Sequence, residues 1–166
     1  VPILVMTLPV CLLLAQLALW YQARPLRVGE ETVLTVRLAD EIDVSRGDMI
    51  CRVGNAPHVA QNIEAMLCWM DESRPFMVGA KYAIKHTTRT ARAVVRGLQY
   101  RLDVNTLHRD ESAEQLTLNE IGRVRLRTTV PLLCDEYRRN RTTGGFILID
   151  ETTNRTVAAG MIIDAS

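Results

Sequence analysis

The sequence predicts an all-β chain built around an antiparallel Greek-key β-barrel. Two observations carry this. First, residues 61–104 hold strand-length runs whose apolar side chains fall on alternate positions: Ile63, Ala65, Leu67 and Trp69, then Tyr82, Ile84 and His86. A period of two places each set on one face of a strand. Second, no segment from residue 30 onward sustains a helical period over ten residues, while strand patterns recur at the spacing of a barrel or sandwich.

The elements follow in order. Ile3 to Tyr21 is a nearly unbroken apolar run of 19 residues, about the length of a membrane-spanning helix. No Lys or Arg precedes it and Pro9 interrupts it, so a signal peptide is a poor fit. As an anchor it would leave the rest of the chain on the cytoplasmic side, because Arg24 and Arg27 follow it. The other reading makes this segment foreign to the fold. Thr32 to Leu38 alternates as a half-buried strand, and Val44 to Asp48 reads as a turn. Met49 to Val53 is expected to be a short strand. Arg46-Gly47-Asp48 matches an adhesion tripeptide, but a Gly-Asp turn accounts for it.

Gly54-Asn55-Ala56-Pro57 marks an expected boundary. The chain therefore divides into an apolar segment (1–29), a partial first barrel (30–54) and a complete C-terminal barrel (55–166). In the latter, the turn at Glu72–Pro75 and Val78-Gly79 links the two organising runs, and a long run through Val94, Val95 and Leu98 reaches Val104. His108–Ser112 is a polar loop. Val124, Leu126 and Thr128 face one way and Arg123, Arg125 and Arg127 the other, as in an antiparallel strand with one wet face. Pro131 should end that strand or hold it at an edge. Tyr137 to Gly145 is a basic, Gly-ended loop. Phe146–Ile149 and Thr156–Ile163 should close the fold as a hairpin.

Composition excludes several functions. A net charge of +1 and 5% aromatics give no electrostatic or stacking case for nucleic acid. Arg89, Arg92, Arg96 and Arg101 form a basic stripe, which reads as a solvated face. The four cysteines, Cys11, Cys51, Cys68 and Cys134, contain no C-x-x-C pair and read as buried, inert thiols. His58, His86 and His108 lack metal spacing and a nucleophilic partner. No phosphate loop, G-x-G-x-x-G, H-E-x-x-H or G-x-S-x-G motif is present. Asn140-Arg141-Thr142 and Asn154-Arg155-Thr156 match the glycosylation sequon, which matters only in a eukaryotic secretory pathway. The residues describe a β-rich binding or structural module, with no catalytic, cofactor or metal residue to nominate.

Several stretches resemble the large, GTPase-bearing subunit of bacterial sulfate adenylyltransferase. Asp40–Asp48 resembles the end of its second domain. Met66–Met70, Lys81–Thr88, Leu102–Leu107, Leu118–Val124, Asn140–Asp150 and Thr153–Met161 resemble its third. The His86-Thr87-Thr88 and Arg141-Thr142-Thr143 variants resemble the actinobacterial form, often fused to adenylylsulfate kinase. The resemblance implies barrels like those of elongation factor Tu, of which only the second is complete here. It implies sulfate activation in the cytoplasm, with GTP, Mg and ATP serving the complete complex and none bound by this chain. It also implies a small adenylyltransferase subunit as partner. No GTP-binding residue carries over, so the expectation is a non-catalytic fragment with a docking role. Arg138, Arg139 and Arg141 are the expected partner contact, as exposed arginines on a Gly-ended loop. The alternative is a membrane-tethered binding module that uses residues 3–21.

Overall fold

In a computed structural model, residues 42–52 and 54–166 are described. The apolar run at 3–21, the strand expected at Thr32–Leu38 and Cys11 lie outside them. Ser45–Ser166 forms one compact unit.

That unit contains nine strands and one helical turn: β1 (His58–Trp69), β2 (Phe76–Met77), β3 (Lys81–His86), β4 (Arg89–Leu102), β5 (Arg109–Asp110), β6 (Gln115–Leu116), β7 (Ile121–Cys134), α1 (Arg141–Gly144), β8 (Gly145–Ile149) and β9 (Thr156–Ala165). The main sheet runs β3-β8-β9-β1-β7-β4, and β3 pairs back onto β4. Six antiparallel strands therefore close into a barrel, with β5 added beside β4. Closure leaves no free edge around the ring. β3–β4 and β8–β9 are hairpins. β1 instead inserts between β9 and β7, so the β1–β3 and β7–β8 connections join strands that are not neighbours.

The alternating pattern translates directly into packing. Ile63, Ala65, Leu67 and Trp69 are all buried, as are Val124, Leu126 and Thr128 on β7. Ile84 and His86 point inward from β3. Trp69, Phe76 and Tyr82 cluster with ring centroids 5.5, 5.6 and 6.3 Å apart. Two of the three pairs meet edge-on, the arrangement that ring quadrupoles favour. The Trp69 indole donates to the Arg74 carbonyl at 2.8 Å, which ties the β1–β2 loop to the core.

Three expectations are corrected. Met49–Arg52 carries no strand; these residues have no pairing partner among the described residues, and Cys51 and Arg52 lie exposed. Pro131 does not end β7, but it does lie at an edge, since β4 pairs with β7 only as far as Thr128. The register jumps from Ala60↔Leu132 to Asn62↔Arg127, so Pro131 sits in an irregular stretch where no ladder amide is needed from it. Cys51 is exposed, whereas Cys134 is buried and Cys68 half-buried; all three are free thiols. Burial, then the neighbouring Asp135 charge, pushes the Cys134 thiol up to about 11, so it stays protonated at neutral pH.

Carboxylates pin the loops. Asp103 accepts the amides of Asn105 and Thr106, and Asp150 those of Thr152 and Thr153. These bonds hold both carboxyls below their usual range, led by Asn105 at the first and Thr153 at the second. Asp110 is lowered first by the Ser112 hydroxyl. At Glu120, burial opposes the charge, but the Thr117 amide and Arg101 outweigh it and the net shift is downward. Groups depressed in the folded state contribute stability above their unfolded values, and that contribution is lost as pH falls through the folded ones. The thermal midpoint should therefore change little from pH 7 to 5 and drop below about pH 4, near the ordinary carboxylate values. Unfolding followed by circular dichroism across that range checks this. A midpoint that rises on acidification would contradict it.

Candidate docking loop

Residues Asp135–Gly144 leave the end of β7 and return to the barrel at β8. Two contacts fix the ends of this loop. The Tyr137 amide donates to the Ile162 carbonyl on β9 at 2.8 Å. Deeper in, the buried His86 ring lies 2.7 Å from the Thr143 carbonyl. A carbonyl only accepts, so the ring donates there from a protonated Nε2. Thr143 also donates its hydroxyl to Asp135 at 2.8 Å, and Asp135 is itself buried. His86 is thus a structural strut that holds the loop's base.

The three arginines differ. Arg139 is tethered: its guanidinium donates to Asn55 Oδ1 at 3.3 Å and lies 3.9 Å from Asp135 Oδ1. Arg138 and Arg141 are exposed and make no ion pair among the described residues. Asn140 caps α1 by accepting the Thr142 amide at 3.1 Å. The cap sets the backbone direction at Arg141, and the Arg139 tether does the same on the other side. Two cations are therefore presented on a well-anchored loop, a form that costs little ordering entropy on binding.

The basic stripe on β4 behaves differently. Arg92 pairs with Glu151 at 2.7 Å, and Arg101 bridges Asp110 and Glu120 at 2.9 and 2.8 Å. Arg89 donates to the Pro131 carbonyl at 2.9 Å and sits 3.8 Å from Asp48. The Arg46-Gly47-Asp48 turn is part of this clasp. Gly47 holds φ +102° and packs against the Arg89 side chain, and Arg46 donates to the Thr88 carbonyl at 3.0 Å. Arg89, Arg92 and Arg101 are thus held by internal ties, while Arg96 is exposed and makes no ion pair among the described residues.

Among the described residues, no three His, Cys, Asp or Glu side chains converge as metal ligands. None of their helices is long and apolar enough to cross a membrane.

Residues 62–163 match the GTP-eEF1A C-terminal domain-like family. The chain belongs to that family. It is 61% identical over 130 residues to the bifunctional enzyme CysN/CysC of Mycobacterium tuberculosis (strain ATCC 25618 / H37Rv), covering 78% of this chain and 21% of that one. It is 48% identical over 131 residues to sulfate adenylyltransferase subunit 1 of Bacteroides fragilis (strain YCH46), covering 79% of this chain and 27% of that one. The resemblance to the sulfate adenylyltransferase large subunit thus holds over the barrel, and the similar proteins include a fused form. The chain spans only about a fifth to a quarter of the length of these relatives. Among solved structures, Sup35 complexed with GMPPNP superposes with a TM-score of 0.62 at 18% identity, over 69% of this chain and 28% of that one. That likeness confirms a barrel of the translation-factor type.

Proposed function

We propose that this chain is the C-terminal barrel portion of a cytoplasmic sulfate adenylyltransferase large subunit. Its work is docking to the small adenylyltransferase subunit, not catalysis. Identity of 61% over 130 residues to the bifunctional enzyme CysN/CysC, and of 48% over 131 residues to a sulfate adenylyltransferase subunit 1, supports the assignment to that subunit. Arg138 and Arg141, exposed on an anchored loop and without an ion pair among the described residues, support the docking role. The sulfate-activating reaction itself, in which ATP and sulfate give adenylyl sulfate and pyrophosphate, belongs to the complete complex.

GTP and Mg do not fit the described residues. A phosphate cradle needs open backbone amides at a glycine-rich turn leading into a helix. The chain's only Gly-Gly pair, Gly144-Gly145, ends a four-residue helix instead of opening one, and the backbone of Tyr137 fills the space beside Gly144. No step is assigned to this chain through either group.

Arginine is enriched among interface anchors, but most interface residues cost only about 1 kcal/mol or less when altered. Reversing both charges in Arg138→Glu/Arg141→Glu should weaken binding to the small subunit by about 10- to 100-fold, roughly 1.4–2.8 kcal/mol. The thermal midpoint should not move, since neither side chain holds an internal ion pair among the described residues. Isothermal titration of the variant checks this. Unchanged affinity would place the contact elsewhere on the barrel.

A further inference from the structure

On the outer face where β4, β7 and β1 lie side by side, three arginines make no ion pair among the described residues. Arg125 and Arg127 are both exposed on β7, two positions apart. That spacing separates them by about 7 Å along the strand. Arg96 joins them from β4. The register steps from Val95↔Leu126 to Gly97↔Arg125, so Arg96 falls in a bulge one strand away from Arg125. The carboxylate directly opposite Arg125 is Glu64 on β1. Glu64 is committed elsewhere: it accepts from Arg123 Nε at 2.9 Å and from the Gln99 side-chain amide. Asp164 lies one strand further out, opposite Glu64 on β9, and accepts the Ala165 amide. It lines the same small hollow as Arg96 and Arg125 without an ion pair to either.

Like charges side by side weaken a sheet. Elsewhere on β4 the fold answers its arginines: Arg92 and Arg101 each have a carboxylate within 3 Å, at 2.7, 2.9 and 2.8 Å. At Arg96, Arg125 and Arg127 it does not, and the charge stays available to a partner. The occupant is therefore an anion. β4, β7 and β1 are each paired on both sides, so it must engage through side chains and not as an added strand. The guanidinium fork takes a carboxylate by two parallel hydrogen bonds. Alternate residues of an extended peptide stand about 7 Å apart, the spacing of Arg125 and Arg127. The cluster spans only two adjacent strands, so the curvature of the barrel hardly enters. Nucleic acid fits less well. Glu64 and Asp164 border the face, the net charge is only +1, and Tyr100, further along β4, already has one ring face taken by the Arg109 guanidinium.

We infer that this face binds an acidic peptide segment of a partner protein, extended along β7, with alternate carboxylates on Arg125 and Arg127 and with Arg96 flanking the first of them. The inference does not depend on the docking role of Arg138 and Arg141, which stand on a different loop, and its test needs no small subunit.

The test is a low-salt titration of the ¹⁵N-labelled chain, read at its arginine Nε–H signals, with a peptide of about ten residues alternating Glu and Ser. A short oligothymidylate of equal charge and inorganic sulfate are titrated in parallel. The peptide should give saturable shifts at Arg96, Arg125 and Arg127 and leave Arg138 and Arg141 in place. Arg125→Glu/Arg127→Glu should weaken peptide binding about 10-fold or more, the loss expected when two charge-assisted contacts turn repulsive. Arg96→Glu should weaken it about 3-fold, yet raise the thermal midpoint by about 2 °C, because a like-charge neighbour of Arg125 becomes an opposite one. That opposite movement separates a binding role from a structural one. Absence of saturable shifts, shifts centred on Arg138 and Arg141, or unchanged affinity in the double variant would overturn the inference. Tighter binding of the oligothymidylate at the same arginines would overturn the choice of a protein partner. Sulfate that binds there as tightly as the peptide would reduce the face to a simple anion site and overturn the peptide register.

Discussion

Trp69→Ala should cost the barrel about 3–5 kcal/mol, the range for truncating a large buried aromatic. Trp69 is fully buried at the end of β1 and touches both Phe76 and Tyr82. Its removal leaves those rings facing a cavity and frees the Arg74 carbonyl that the indole holds at 2.8 Å. The neighbours cannot collapse freely. The Trp69 amide and carbonyl bond Glu120 and Asn119 across the barrel end at 2.9 and 2.8 Å, which fixes the backbone around the hole. Domains of this size are stable by only about 5–15 kcal/mol, so the loss is a large share of the total. Urea unfolding followed by circular dichroism measures it. Trp69→Phe keeps most of the ring volume and should lose far less. Equal losses for the two variants would mean that the indole hydrogen bond, not the packing, dominates.

Gly144→Ala should cost about 3 kcal/mol, at the upper end for overpacking a tight site. A Cβ at this position would overlap the Cα and amide nitrogen of Tyr137. Those are backbone atoms, and the Tyr137 amide is already committed to the Ile162 carbonyl at 2.8 Å. Relief therefore requires the loop to lift from β9. The damage should be local as well as global: lifting Tyr137 displaces Arg138. Affinity for the small subunit should fall along with the thermal midpoint. The neighbouring Gly145→Ala is a control, because its Cβ would meet the Arg141 carbonyl oxygen no closer than 3.4 Å. A variant at 144 as stable as the wild type would show that the loop has a second packing available to it.

The sequence made the barrel legible because its strands are half-buried. A period of two survives wherever one face is wet, and β1 displays it from Ile63 to Trp69 and β7 from Gly122 to Thr128. The closing hairpin was legible for another reason: a short turn separates two strand-forming runs. The misreadings have a common cause. Pro131 looks like a strand terminator until the register shift opposite Ala60 and Asn62 gives it a place without a ladder bond. Met49–Arg52 has strand-like residues, but a strand exists only where a partner edge accepts it. The candidate site was legible as composition and not as geometry. Three arginines on one loop can be read from residues 138–141. The tether that removes Arg139 from that set cannot, because its acceptor Asn55 lies 84 positions away.

The most direct test of the central claim is a binding titration of purified residues 45–166, the compact unit, against the small adenylyltransferase subunit, with GTP turnover assayed on the same sample. A docking barrel predicts a saturable complex with no GTP turnover above that of the small subunit alone. Absence of binding, or GTP hydrolysis by the barrel itself, would contradict it.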